Sequence, residues 1–198
     1  AVTKSMLLTC RIKKFITLPV WCAVSWNLVV ATGWRQERLC MDELYRVGDV
    51  LGRRVEEVWF TGFDGLLTAR VDGDSVEFVK LLIDVVQAGY YVPRYILRAT
   101  PIMAVVKTDL DEIQKVVGEL AERFIAPGET YKIELKKRGV KFDRMAVIEY
   151  VAKAVNRRVN LTNPDKVVWI EMFPSRTGVS VIRESENFSL MKARAAHE

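Results

Sequence analysis

A chain of 198 residues, 50% hydrophobic and 28% charged, is long enough for one large or two small cored domains and too apolar to be disordered. Thirty Lys and Arg against 25 Asp and Glu leave a net charge of +5, which favours an acidic partner, nucleic acid before anionic membrane. The lone histidine, His197, and the three cysteines, Cys10, Cys22 and Cys40, have no metal-site or C-x-x-C spacing, which argues against histidine catalysis, a zinc site or a disulfide framework.

The first segment to place is FITLPVWCAVSWNLVVATG, residues 15–33, which follows Arg11, Lys13 and Lys14. A spanning helix needs about 20 uninterrupted apolar residues, and Thr17, Pro19, Ser25 and Asn27 break this one. A signal peptide would be cleaved inside Leu28–Ala31, which reads instead as a core strand leaving into a Thr32-Gly33 turn. The expectation is a soluble, cytoplasmic protein with residues 1–26 as an N-terminal extension. A helix over 38–51 follows from Leu39, Leu44, Val47 and Leu51, and Gly52 ends it. Two strands, 56–61 and 65–71, flank a Gly-Phe-Asp-Gly turn. Asp74 or Ser75 caps a helix carrying Val76, Val79, Leu82, Ile83 and Val86, with Gly89 as its stop. RYILRATPIMAVV reads as one extended run bent at Pro101. The order β-α-β-β-α-β over 27–106 is a ferredoxin-like pattern that needs Leu28–Thr32 as its first strand.

In the second half, Asp109 caps a helix with Leu110, Ile113, Val117, Leu120 and Phe124 on one face, and Pro127-Gly128 stops it. TYKIELKK alternates Tyr131, Ile133 and Leu135 against Lys132, Glu134 and Lys136, the mark of a half-buried strand. Asp143 or a neighbour starts a further helix with Met145, Ile148, Val151, Ala152 and Val155 inward. KVVWIEMF and GVSVI form a final strand pair around Pro174-Ser-Arg-Thr177. The fold class is therefore α+β: a ferredoxin-like domain followed, over 107–192, by an α-β-α-β-β domain, with 193–198 as a tail.

No phosphate-binding loop, dinucleotide fingerprint or nucleophile elbow is present. Asp109, Asp111 and Glu112 are accounted for by helix capping, and Glu56 and Glu57 by alternation across a strand, so no catalytic carboxylate pair is expected. The reading is of a chain that is not itself an enzyme and holds no cofactor or metal. An enzyme working with carboxylates alone and membrane attachment through residues 11–26 stand as remoter alternatives. What remains is basic geometry. Lys132, Lys136, Lys137, Arg138, Lys141 and Arg144 cluster on one strand, its exit turn and the next helix start, and Lys153 and Arg157 are spaced to share a helical face. Such a surface suits several phosphates, each contact making affinity salt-dependent. Phe142 and Trp169 are either base-stacking platforms or core.

YKIELKKRG, AVIEYVAKAVN, RVNLTNPDKVVWIEMF and TGVSVI, in that order and spacing, resemble the THUMP domain, an RNA-binding module of tRNA-modification systems. The departure from the family pattern is Asn160, where Asp is usual. VEEVWFTGFDGLL and RYILRATPI are most similar to the stand-alone branch of the family, adaptors for tRNA N4-acetylcytidine formation that lack a catalytic domain. The resemblance, over about 27–192, implies that the partners are tRNA and a separate RNA acetyltransferase. It places the tRNA acceptor stem and 3′ end against Lys136, Lys137, Arg138, Arg144, Lys153, Arg176 and Thr177, with Arg94 and Arg98 in support. A general RNA-binding module serving a methyltransferase, thiolation enzyme or deaminase is the alternative.

Overall fold

The structure is a computed structural model and describes residues 26–195; Cys10, Cys22, His197 and the basic-apolar segment at 11–25 lie outside the described residues. Two five-stranded sheets organise the chain. The first holds β1 (Leu28–Ala31), β2 (Val55–Phe60), β3 (Leu66–Val71), β4 (Arg98–Pro101) and β10 (Phe188–Ser189), in the order β10-β4-β1-β3-β2. Helices α1 (Glu37–Leu51) and α2 (Ser75–Gln87) cover one face. Leu28, Val30, Leu67 and Ala69, alternate residues on paired strands, point at Leu44, Val47, Phe78 and Leu82. Gly52 closes α1 at φ +62°, a left-handed conformation that glycine adopts without a Cβ clash. The Asp74 carboxylate accepts from Val76 N at 2.8 Å and starts α2.

The second sheet runs β5-β9-β8-β6-β7, from β5 (Ala104–Lys107), β6 (Thr130–Lys137), β7 (Arg158–Val159), β8 (Lys166–Met172) and β9 (Arg176–Ile182). Strands β6 and β8 are parallel, and α4 (Arg144–Ala152) supplies the crossover between them. With α3 (Leu110–Phe124) it buries Ile113, Val117, Val147 and Val151 against Leu135, Val168, Ile170, Val179 and Val181. Asp109 accepts from Asp111 N and Glu112 N, and Asp143 from Ala146 N, so both caps form where the sequence places them. The loop 160–165 is tied by its side chains. Asn160 Oδ1 accepts from Thr162 N and Asn163 N while its Nδ2 donates to Asn163 O, a bond that an aspartate at this position could not donate. Asp165 accepts from both Thr130 N and Thr130 Oγ1, pinning the start of β6.

Several expectations change. RYILRATPIMAVV is not one run: Ile102 N donates to Asn27 O of the first sheet and Met103 N to Val179 O of the second, so neighbouring residues belong to different sheets. Met145 is outward, 57% exposed, and Val147 takes the buried position. Helix α4 ends at Ala152, so Lys153 and Arg157 do not share a helical face; Arg157 donates instead to Ile125 O and ion-pairs with Glu122. Glu56 is the extra residue of a bulge between Val55 and Glu57 in β2, and it ion-pairs with Arg70 at 2.6 Å. The chain also returns after β9: Phe188 and Leu190, the latter opening the short helix α5 (Leu190–Ala195), are buried in the first core. Among the described residues no helix is long and apolar enough to cross a membrane.

Candidate nucleic-acid interface

The site is built where the second sheet ends. Strands β6 and β8 run in parallel to that end, and the antiparallel β9 begins there, so the loops after β6 and between β8 and β9 are neighbours. The β2–β3 turn of the first sheet joins them. Phe63 and Pro174 both approach Gly139, which sits at φ +65°, and an added Cβ would lie 3.0 Å from each. That turn is itself anchored: the Glu37 carboxylate accepts from Gly65 N at 2.6 Å, a backbone bond that holds its pKa below the usual carboxylate range. The result is an open cleft of about 420 Å³ between the two sheets, lined by Trp26, Phe63, Phe173, Pro174, Ser175 and Arg176, among others. Trp26 stands edge-on to Phe173, with ring centroids 5.5 Å apart, and Phe63 lies 6.1 Å from Phe173.

The basic residues proposed from sequence fall into three groups. Lys136, Lys137, Arg138, Arg144 and Arg176 gather at this end. Three of them also brace the fold: Lys137 Nζ donates to Phe142 O, Arg144 Nη1 donates to Leu135 O, and Arg138 Nη1 lies 2.5 Å from Glu171 Oε2. The Arg138 guanidinium also rests 5.6 Å from the Phe173 ring. Lys153, beside the Tyr150 ring, sits at the other end of α4, which at about 1.5 Å per residue puts it a dozen or so ångströms from Arg144. Thr177 is fully buried, its hydroxyl 2.9 Å from that of Thr108, and Gly178 lies under Trp26 and Ile102. Both are buried, so Thr177, which the resemblance places against the acceptor stem and 3′ end, presents no surface there. Arg98 is half-buried on β4, in register with Ala31, on the open face of the first sheet that turns toward the cleft; Arg94 is exposed in the preceding loop. Phe142 packs against the second core, and Trp169 is buried among Val76, Val167 and Ile182, so both are core residues.

Sequence reasoning missed Lys107. It is the exposed last residue of β5 and pairs with Arg176 across the ladder, so two cations stand side by side, with the Glu112 carboxylate accepting from Lys107 N at 3.3 Å. Like charges in that relation repel, and an anion between them relieves the repulsion. The three aromatic residues of the cleft were also missed. Their signal is spread over positions 26, 63 and 173, and only the pairing of two sheets assembles it. Among the described residues no group of three or more His, Cys, Asp or Glu side chains could hold a metal ion. The arrangement places positive charge around an aromatic floor, a combination that can hold a single-stranded nucleic acid.

Comparison with known proteins bears on the fold. Among solved structures, PH1313 of Pyrococcus horikoshii is similar over 80% of this chain and 55% of its own, with a TM-score of 0.58 and 14% identity. TrmN from Thermus thermophilus matches over 79% and 45%, with a TM-score of 0.55 and 15% identity. A 4-thiouridine synthetase solved in complex with RNA and ATP matches over 80% and 42%, with a TM-score of 0.51 and 15% identity. At these identities the likeness is one of fold. An uncharacterized protein of Methanocaldococcus jannaschii is 36% identical over 80 residues, 38% of this chain and 22% of the relative. The chain thus spans about half the length of these structures and under a quarter of that relative. The THUMP domain family profile matches residues 107–182. The chain therefore carries a THUMP domain, an RNA-binding module, joined to a ferredoxin-like sheet.

Proposed function

We propose that the chain is a non-catalytic adaptor that holds the acceptor stem and 3′ end of tRNA and presents them to a separate RNA cytidine acetyltransferase for N4-acetylcytidine formation, in the cytoplasm. The observation that carries the RNA half is the cross-strand Lys107–Arg176 pair at the mouth of the aromatic cleft, with Lys136, Lys137, Arg138 and Arg144 close by. Lysines act there as point charges on phosphates, and arginines bind bidentately. Arg98 extends the basic surface onto the first sheet. The adaptor half rests on the resemblance of VEEVWFTGFDGLL and RYILRATPI to the stand-alone branch.

Two measurements test the two halves separately. Intact tRNA and tRNA trimmed of its 3′ single strand are titrated against the protein over a salt series. Salt-dependent binding that weakens on trimming supports the RNA reading, and binding indifferent to the 3′ end counts against the cleft. The protein is then added to a THUMP-less acetyltransferase with tRNA and an acetyl donor. Formation of N4-acetylcytidine that depends on the adaptor supports the acetylation role, and its absence removes it. A second reading is favoured by fold likeness to a 4-thiouridine synthetase of which the chain covers 42%. In that reading the same surface serves another tRNA-modifying enzyme, a thiolation enzyme, methyltransferase or deaminase, and the acetyltransferase assay separates the two.

A further inference from the structure

We propose that Glu171 is a positioning residue for RNA: its buried carboxylate holds the Arg138 guanidinium against Phe173, leaving the remaining N–H donors of Arg138 directed at a backbone phosphate. The inference rests on the RNA-binding reading above and assigns the internal support of that surface. Glu171 is 0% exposed at the centre of the second sheet. It lies between Lys136 on β6 and Gly178 on β9, in register with both. Oε2 takes Arg138 Nη1 at 2.5 Å, whereas Oε1 has no hydrogen-bond partner. A buried carboxylate held at one oxygen only is a poor stabilising device. Desolvation offsets most of the attraction in such pairs, and an apolar substitute is often no worse for stability. What the pair does supply is orientation. The Arg138 main chain is fixed by its N–H to Met172 O, and the side chain is fixed by Glu171 on one side and the Phe173 ring on the other. Arginine has five N–H donors in a planar fork, so one bond to Glu171 leaves most of them for an anion. The guanidinium is 19% exposed, enough for one edge to meet solvent or phosphate. An arginine held in this way loses less conformational entropy on binding than a free surface one.

The sign of one substitution separates positioning from plain electrostatics. E171M removes a negative charge beside a basic surface, so Coulomb attraction alone would tighten RNA binding. It also leaves no acceptor for Arg138, and loss of that tether loosens the guanidinium and weakens binding. Glu134 is the control: it lies on the same face and its ion pair is with Lys132, at 3.5 Å. In tRNA titrations over a salt series, E134Q binds as tightly as the wild type or more tightly, and E171M binds about tenfold more weakly, the worth of one charge-assisted hydrogen bond. R138A lowers the slope of log K against log salt by about 0.9, one phosphate, or about 0.7 where the strand is single, and R138K keeps the slope while losing affinity. The inference is overturned if folded E171M binds at least as tightly as the wild type, or if R138A retains the full slope. Should E171M fail to fold by circular dichroism, E171L is held to the same criterion. A wild-type protein that binds no tRNA refutes the underlying RNA reading instead.

Discussion

Glu43 offers the sharpest test of how the first sheet is held together. It lies on α1, 3% exposed, and its carboxylate gathers the loop that leads into β4. Oε1 accepts from Arg94 N at 2.8 Å and Tyr91 Oη at 3.1 Å; Oε2 accepts from Tyr95 N at 2.7 Å and Ile96 N at 2.8 Å. E43A strands three backbone donors and a phenol. Breaking a buried charged network by deleting one partner costs about 3–5 kcal/mol, and that is the expected loss of stability. E43Q is milder. Its amide oxygen can face Tyr95 N and Ile96 N while its NH₂ donates to the Tyr91 hydroxyl, which leaves only Arg94 N without an acceptor. About 1–3 kcal/mol is expected for that single unsatisfied donor and the lost charge. Urea unfolding measures both values, and hydrogen exchange at residues 94–96 locates the damage. In E43A these amides should exchange far faster while those of β6 and β8 are affected only through global stability. A loss below about 1 kcal/mol for E43A, or unchanged protection at 94–96, would refute the account of Glu43 as the loop's anchor.

Four further outcomes are expected. Hydrogen bonds from Thr130 hold the Asp165 carboxyl below its usual range; its folded pKa is depressed, so its contribution is present above the ordinary aspartate pKa of about 4 and is lost as pH falls through the folded value. D165N should therefore flatten stability against pH below about 4, measured by thermal melts across an acid series. Burial pushes the Cys40 thiol up to about 12, so at pH 8 mass spectrometry should find Cys40 unalkylated by iodoacetamide in the native protein and modified once it is unfolded. K107A and R176A should each reduce the salt slope of tRNA binding by about 0.7–0.9, and unchanged slopes for both would remove the pair from the interface. A Cβ at Gly178 would lie 2.5 Å from the Trp26 ring, so G178A should cost about 1–3 kcal/mol and markedly less in a W26A background, by a double-mutant cycle in urea.

Local signals were legible and pairings were not. Asp74, Asp109 and Asp143 are each found capping the helix that follows, because a cap is a bond between residues two or three apart. The ferredoxin-like order was readable from the succession of elements, since neighbouring strands and crossovers leave few topologies. The change of sheet between Ile102 and Met103 was not, because nothing in an apolar extended run says which edge each residue will meet. Met145 and Val147 exchanged roles because RMAVIEYVA is apolar around most of its circumference, and only the packing of α3 against α4 selects a face. Glu43 and Glu171 were invisible for a similar reason. A buried carboxylate is defined by its donors, and these lie about 50 residues away for Glu43 and 33 for Glu171. The basic cluster on β6 was found, whereas Lys107 on β5 acquires meaning only through its pairing with Arg176.

The position of that cluster depends on the junction between the sheets. The covalent link from β4 to β5 is two residues, Ile102 and Met103, too short to swing freely. Apolar contacts brace it on both sides: Val29, Leu66, Ile102, Val105 and Phe173 on one, and Val76, Val167, Trp169 and Ile182 on the other. Ser75 Oγ donates to Ile102 O at the same junction, and the chain crosses back when Phe188 pairs with Ala99. Contacts at so many points brace the cleft formed by Phe63 from one sheet and Phe173 from the other. A preformed cleft spares the ordering cost that a hinged one would incur on binding RNA. It also makes the distance from the basic end to the rest of the surface a constant, which is what a module needs if it is to hold an RNA at a set place for an enzyme carried on another chain or domain.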